Sequence, residues 1–514
     1  MINKKNFIII TFLFLVLFPI SIFSKQTLEI WIMPNGANPQ GILEDILKDF
    51  EKQNNVKVNV KVLDWGVAWA KISQALEKGE GPDILQLGTT WTAYFASKGY
   101  LTILNKKLPK NYKERFLDIS WKTCEIYGDS LVYAVPWFVD VRVLLGNKKY
   151  LDSLNITDSL VSTYEGFKEA LKRIKKANLK TDNNLKVYPF GFPGKADWNI
   201  PHNFAPWIWS EGGSFIIYKN GRWHSNLLNT NTLKGIKKYL SFVLDSLIDP
   251  KTLKENTALV AQRFNNGQLA FIINTTEILM QTKITINQGG LKESSIGKSG
   301  IYSFRIPRGE KGSISFVGGS NLCIPINNKN NPLALKLLLY LTSKKALDEY
   351  TKSIGFLPPD KELLDTWAKD SLYKNVVAAA KEGRAYPSIP KWGLIEALLA
   401  NMFSEVWSLM DGFYSEERLY KIILSYHKKL ETEILENELD TLEYNNFLNK
   451  VESISKNKEL GSNKKTKNIT KTNLSKNSDL YYTITIFLLI IIFGIYFYFK
   501  FKNEISEEED KEDE

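Results

Sequence analysis

Apolar and polar positions alternate in two different rhythms over most of this chain. Thr27 to Ile32 is a short apolar-rich run with the character of a strand, and Gly41 to Gln53 places Leu43, Ile46, Leu47 and Phe50 at helical spacing. Val56, Val58, Val60 and Val62 then alternate with polar residues, as a half-buried strand requires. Trp69 to Lys78 returns to the helical period, and Pro82 to Leu87 reads as a short buried strand. A βαβαβ order of this kind predicts a mostly parallel sheet with helices on both faces. Ligands on such sheets lie beyond the carboxyl ends of the strands, so the strand-to-helix loops are the places to search.

Those loops carry polar groups and tryptophans. The first strand is followed by Met33 to Asn38, which includes Asn35; the second by Asp64, Trp65 and Gly66; the third by Gly88, Thr89, Thr90 and Trp91. Core packing accounts for any one tryptophan. It accounts less well for their recurrence at successive strand ends, where an open sheet binds its ligand.

Two other apolar segments have no such rhythm. Residues 1–24 run from Lys4 and Lys5 through an apolar stretch, Phe7 to Phe18, to a polar exit near Ser24, the plan of a secretory signal peptide. Ile22 occupies a position where a small residue is preferred, so an uncleaved signal anchor is the alternative. Near the other end, residues 481–499 carry no charge and are rich in Ile, Leu and Phe, long enough to cross hydrocarbon. Tyr481, Tyr482, Tyr496 and Tyr498 flank this predicted transmembrane helix, and Lys500 and Lys502 follow as a stop. The expected arrangement has the body outside the membrane and the acidic tail, 500–514, inside.

Length and charge refine this picture. A chain of 514 residues, 44% hydrophobic and 24% charged, suits two lobes plus appendages. The formal charge of +11 is uneven: eight lysines fall between Lys450 and Lys476, against Glu452 and Glu459. That run is an Asn/Ser/Thr/Lys stretch without aromatics on a folded face, so it reads as a linker and not as a nucleic-acid surface. Leu435, Leu439, Leu442, Leu448 and Val451 keep a helical period before it, and from Lys456 to Ser478 the period is lost. Residues 437–479 are thus expected to be a helical connector and flexible leash. Cys124 and Cys323 match no metal motif and are read as two thiols, not as a disulfide.

The stretch from Gly81 to Leu104, with Gly81-Pro-Asp-Ile-Leu-Gln-Leu87 and Trp91, resembles the bacterial extracellular solute-binding proteins of family 1, the group that includes maltose-binding proteins. Later segments agree in order: Tyr133 to Asn147, Thr163 to Lys168, Phe190 to Trp198, Trp207 to Gly213, Phe264 to Ile272, Phe316 to Asn321 and Ile354 to Pro359. Together they span about residues 27 to 436. The resemblance implies a type II periplasmic-binding-protein-like α/β fold of two lobes joined by a multi-strand hinge. Residues 27–136 and 320–356 would form lobe 1, and 137–319 and 357–436 lobe 2. It implies capture of a sugar or oligosaccharide between the lobes and delivery to the permease subunits of an ABC importer, by a monomer without cofactor or metal.

A sugar presents a C–H face to aromatic rings and hydroxyls to planar polar groups. The stacking candidates are Trp65, Trp91, Trp198 and Trp392, and the hydrogen-bonding candidates are Asn35, Asp140, Arg142, Asp197 and Asn321. Thr89, Trp137, Gly319 and Ser320 complete the expected ligand-binding set. For Asp140 and Arg142 a local ion pair at the hinge is the equal alternative. Trp207 and Trp209 sit in an apolar helix-like run and read as core. Two departures from the family stand out. After Ile273 the chain has Asn274-Thr-Thr276 where the family commonly supplies Gly-Pro-Trp, and the usual lipoprotein cysteine is missing, its place apparently taken by the C-terminal span.

Other classes remain open on the sequence alone. A glycoside hydrolase would use two carboxylates, and Asp64, Asp140 and Glu211 are available, but nothing sets two of them at a catalytic separation. The histidines, His202, His224 and His427, are scattered and suggest no metal or nucleophile motif. Relatives that bind sugar phosphates, peptides or polyamines would share the fold, and a ligand sensor would need a separate membrane partner, since only residues 500–514 follow the span. The tryptophans outnumber paired acids at the strand ends, which disfavours a polycation.

Overall fold

The computed structural model describes residues 25–195 and 197–467; the signal-peptide and transmembrane expectations lie outside them. The described chain holds eleven strands: β1 Gln26–Ile32, β2 Val56–Val62, β3 Ile84–Gly88, β4 Val135–Val141, β5 Val143–Asn147, β6 Tyr188–Gly191, β7 Ile216–Lys219, β8 Arg222–Ser225, β9 Leu269–Asn274, β10 Ile301–Phe304 and β11 Val317–Cys323. One compact unit extends to Leu448, and a second begins at Asn449, inside the helix Thr441–Lys467. That helix runs past Lys456, where the apolar period ends; helix propensity of the lysine- and glutamate-containing sequence does not need an apolar face.

Two sheets define the lobes of the first unit. The first has the order β2-β1-β3-β11-β4 and the second β10-β5-β9-β6. β1 pairs parallel with β2 and β3, as the βαβαβ rhythm requires, but β11 is antiparallel to both β3 and β4. In the second sheet only β6 and β9 are parallel. The sheets are therefore mixed, not mostly parallel. The reason is topological: the chain leaves the first sheet after β4, builds the second, and re-enters as β11 between β3 and β4.

The cores divide at three places. One hydrophobic cluster runs from Leu28 to Phe138 and from Leu322 to Phe356; another takes Val139 to Leu145, residues from Val260 to Val317, and Leu357 to Ala380. β4 stays in the first sheet as far as Val141, while the core changes between Phe138 and Val139, so the first crossing runs along the end of β4 up to Arg142. β11 likewise starts at Val317, three residues ahead of the expected 319/320 boundary. The third crossing is held by a two-way backbone bridge, with Val139 N to Leu357 O at 2.8 Å and Leu357 N to Val139 O at 3.0 Å. Deeper in the second lobe, Phe204 stacks on Phe403 at 3.9 Å and Phe192 on Trp407 at 4.8 Å, which fastens the helix Trp392–Asp411 to Ile200–Ser210. Trp207 and Trp209 are buried here, as core residues. Cys124 and Cys323 are buried free thiols.

Candidate functional site

The first-lobe wall is built at the ends of β2 and β3. Asp64 caps the helix Trp65–Lys78 through Gly66 N at 2.9 Å, so Trp65 is the first helical residue and not a loop residue. Its indole donates to Pro34 O at 3.2 Å, which ties it to the loop after β1. Trp91 precedes the helix Thr92–Ser97 and meets Trp65 edge-on at 5.4 Å and Trp69 at 5.3 Å. Gly88 lies beneath the two rings, a Cβ built on it standing 3.7 Å from Trp65 and 3.9 Å from Trp91, in ordinary contact. Three indoles thus form one half-exposed surface.

The opposite wall comes from the segment 197–202. Trp198 is 58% exposed, and its ring lies 6.4 Å from that of Trp65, with 30° between the planes. His202 contacts Trp198 edge-on at 5.7 Å, stacks on Phe316 at 4.3 Å, shares a 3.0 Å hydrogen bond with Tyr386 Oη and lies 3.1 Å from a Glu396 oxygen. Asn199 accepts from Arg142 at 2.8 Å. Trp69 reaches the start of the helix Trp392–Asp411 of the second lobe: a Cβ on Gly393 would stand 3.4 Å from its ring. The aromatic surface of one lobe and the polar wall of the other therefore face each other across the crossings.

Asp140 and Arg142 sit at the first crossing. Asp140 Oδ1 is buried with no hydrogen-bond partner, and Oδ2 is 3.8 Å from Arg142. Asp140 is paired in the β4–β11 ladder with Gly318, where the Phe316 ring fills the place of the missing side chain, 2.9 Å from a Cβ built there, with Thr89 Oγ1 at 3.7 Å. Gly319 adopts φ +125°, and a Cβ there would lie 2.1 Å from Phe138 O. Only glycine allows this approach of β11 to β4.

Several sequence candidates occupy other places. Asn35 is buried and exchanges hydrogen bonds with Gln86 at 3.0 and 3.2 Å, while Gln86 also donates to Ser320 at 2.9 Å. Asn35 and Ser320 therefore pin the loop after β1 to β3 and β11. Asn321 is fully buried and donates to Thr92 and Thr123, inside the first lobe and away from the cleft. Trp137 is fully buried and stacks on Tyr350 at 4.4 Å; Trp392 is buried and stacks on Tyr386 at 4.3 Å, behind the wall and not on it. Asp197 closes the local loop by accepting from Asn199 N and Thr257 N at 2.7 and 2.5 Å. Ser320, Asn321 and Trp137 are turned inward by the alternation along β11 and β4, and Trp392 by its place at a helix start.

The structure adds groups that the sequence reading passed over: Trp69, Asn199, His202, Glu277 and Glu396. Glu277 opens the short helix after β9, immediately after Asn274-Thr-Thr276. Burial, reinforced by the negative charge of Asp140 and opposed by Arg142, pushes its carboxyl up to about 7. The departure from the family pattern at 274–276 was the signal that could have drawn attention to it.

Comparison with known proteins agrees with this arrangement. The family model for bacterial extracellular solute-binding proteins matches residues 34–348. The chain is 28% identical over 378 residues to the diacetylchitobiose binding protein DasA of Streptomyces coelicolor, covering 73% of this chain and 83% of that protein. It is 23% identical over 401 residues to the galactooligosaccharide-binding protein of Bacillus subtilis, covering 76% and 84%. Among solved structures, an ABC transporter solute-binding protein from Thermotoga lettingae bound with alpha-D-tagatose superposes with a TM-score of 0.65 at 20% identity, over 79% of this chain and all of that one. The GacH receptor of Streptomyces glaucescens gives 0.64 at 19% identity, over 81% and 100%. Two lobes with three crossings, a cleft walled by aromatic rings, and this match place the chain in the bacterial extracellular solute-binding protein family.

Proposed function

We propose that the protein is the extracytoplasmic receptor of an ABC importer, which captures a sugar or oligosaccharide between its lobes and delivers it to a membrane permease. The observation that carries this reading is the pairing of Trp65 and Trp198 from opposite lobes, 6.4 Å apart, beside the hydrogen-bonding groups Asp140, Arg142 and Thr89. Aromatic faces suit the C–H surface of a pyranose, and carboxylate and guanidinium groups suit its hydroxyls. Relatives named for diacetylchitobiose and galactooligosaccharide support the same class. A ligand touching both lobes favours the closed arrangement, which a permease can read. The receptor acts as a monomer, without nucleic acid or cofactor.

The carboxylates that a hydrolase would need have other tasks. Asp64 caps a helix, and Glu211 is buried and held by Lys234 and Lys238 at 2.9 and 2.6 Å. Asp140 thus lacks a catalytic partner in either, and we read the protein as a binder of its solute, in keeping with its family. The signal peptide 1–24 and the span 481–499 export the body and tether it to the cell membrane; they rest on sequence alone, since among the described residues no helix is long and apolar enough to cross a membrane.

A thermal-shift screen of mono-, di- and oligosaccharides tests the binding role, with a rise of several degrees expected for at least one. No shift with any sugar, beside a shift with another solute, overturns the saccharide reading. Released product in the same mixtures overturns the binding-only reading. Membrane fractionation of the full chain against one ending at residue 480 tests the tether.

A further inference from the structure

The backbone on both sides of Trp198 is tied down, but its ring is left to its neighbours. Asp197 accepts from Asn199 N and Thr257 N at 2.7 and 2.5 Å, and Asn199 accepts from Arg142 at 2.8 Å. The indole itself is 58% exposed. Among the described residues its ring-to-ring contacts are with Trp65, at 6.4 Å, and with His202, at 5.7 Å and 89°. Trp65 belongs to the other lobe, so that contact is lost whenever the lobes part. His202 lies four residues further along, in the first turn of the helix Ile200–Ser210, and keeps its place beside Trp198 in any arrangement of the lobes.

His202 is fixed in every direction that matters for its ring. Phe316 stacks on it at 4.3 Å with 2° between the planes, which sets the plane of the imidazole. Nδ1 shares a 3.0 Å hydrogen bond with Tyr386 Oη, and Nε2 lies 3.1 Å from a Glu396 oxygen, which sets the rotation within that plane. A carboxylate only accepts, so Nε2 carries a proton, and in the neutral ring Nδ1 accepts from the tyrosine hydroxyl. A buried histidine with both nitrogens partnered often serves the core alone. Here, however, the ring that Phe316, Tyr386 and Glu396 hold meets an indole that stands mostly in solvent. The edge-on arrangement is a favoured one for aromatic rings, and it leaves indole surface uncovered for a pyranose. An unsupported tryptophan at this position would have to be ordered by the solute, at a cost in affinity that a preset ring avoids.

We propose that His202, held by Glu396 and Tyr386, is a positioning residue that presets the Trp198 ring for stacking, without itself touching the solute. This inference rests on the saccharide reading given above and deepens it.

Fluorine spectroscopy of the full chain in detergent, labelled with 5-fluorotryptophan, reads the ring without any ligand. The Trp198 line is the one missing from Trp198→Phe. His202→Ala and Glu396→Leu are expected to shift that line toward free 5-fluorotryptophan and to leave the lines of the buried Trp137 and Trp407 in place. Glu396→Gln, which keeps an acceptor for Nε2, should shift it less than half as far. A Trp198 line unmoved in both His202→Ala and Glu396→Leu overturns the inference, as does one that moves together with those of Trp137 and Trp407. Calorimetric titration with maltose, cellobiose and lactose reads the consequence: His202→Ala should lose about fivefold in affinity, but less than about twofold where Trp198 is already alanine. An equal loss in both backgrounds means that His202 acts independently of Trp198 and overturns the positioning role. Failure of these and every other screened saccharide to bind overturns the saccharide reading, while the fluorine spectrum still decides whether His202 sets the ring.

Discussion

Trp65 and Trp198 belong to different lobes, yet their rings stand 6.4 Å apart with only 30° between their planes. Trp65 is fixed by its bond to Pro34 O, whereas Trp198 is 58% exposed and held mainly by its edge contact with His202. The two rings thus differ in what their removal should do. Trp198→Ala should weaken saccharide binding about tenfold, in keeping with loss of a central aromatic anchor, and move the melting temperature by less than about 2 °C, as a surface change does. Titration and calorimetric scanning of the same variant check both. Unchanged affinity would remove Trp198 from the site.

Arg142 is the charge partner nearest Asp140, and both lie at the crossing. Replacing it by leucine strands a partly buried carboxylate and leaves Asn199 without its donor. The expected cost is about 3 kcal/mol in urea unfolding. Adding Asp140→Asn should recover about half of that loss, a coupling that a double-mutant cycle measures directly. Full additivity would mean that the two groups do not interact.

Gly319 offers a test of the hinge geometry that does not involve ligand. Its φ of +125° and the 2.1 Å approach of a built Cβ to Phe138 O leave no space for a side chain. Gly319→Ala should therefore destabilise by about 3 kcal/mol with an unchanged denaturant slope. An alanine variant as stable as the parent would show that β11 can shift against β4.

The pH dependence centres on Glu277, whose charged neighbours are Asp140 and Arg142. Its carboxyl is raised from 4.5 to about 7, so the folded protein holds this proton more firmly than the unfolded chain does. The resulting stabilisation is complete below pH 4.5 and is lost as pH rises through about 7. Between pH 5 and 8 the melting temperature should fall more steeply for the unmodified protein than for Glu277→Gln. Parallel melting curves for the two proteins would refute the assignment of the proton to Glu277.

Local pattern was enough to place the first three strands and their intervening helices, because alternation and the 3.6-residue period are set by which face meets a core. It also singled out Trp65 and Trp91, whose rings meet edge-on at the ends of β2 and β3, since strand ends of an open sheet are where ligands gather. Asn321, Trp137 and Trp392 were misplaced because a residue near a strand end or helix start can face either way, and only packing selects the face: Asn321 turned inward to Thr92 and Thr123, Trp137 onto Tyr350, Trp392 onto Tyr386. What tertiary structure alone decided was the meeting of Trp65 with Trp198 and of Arg142 with Asn199. These partners are far apart along the chain, and no local period carries the folding of one lobe toward the other. The sequence by itself determined that aromatic and polar groups stand at strand ends; long-range packing decided which of them share one cleft.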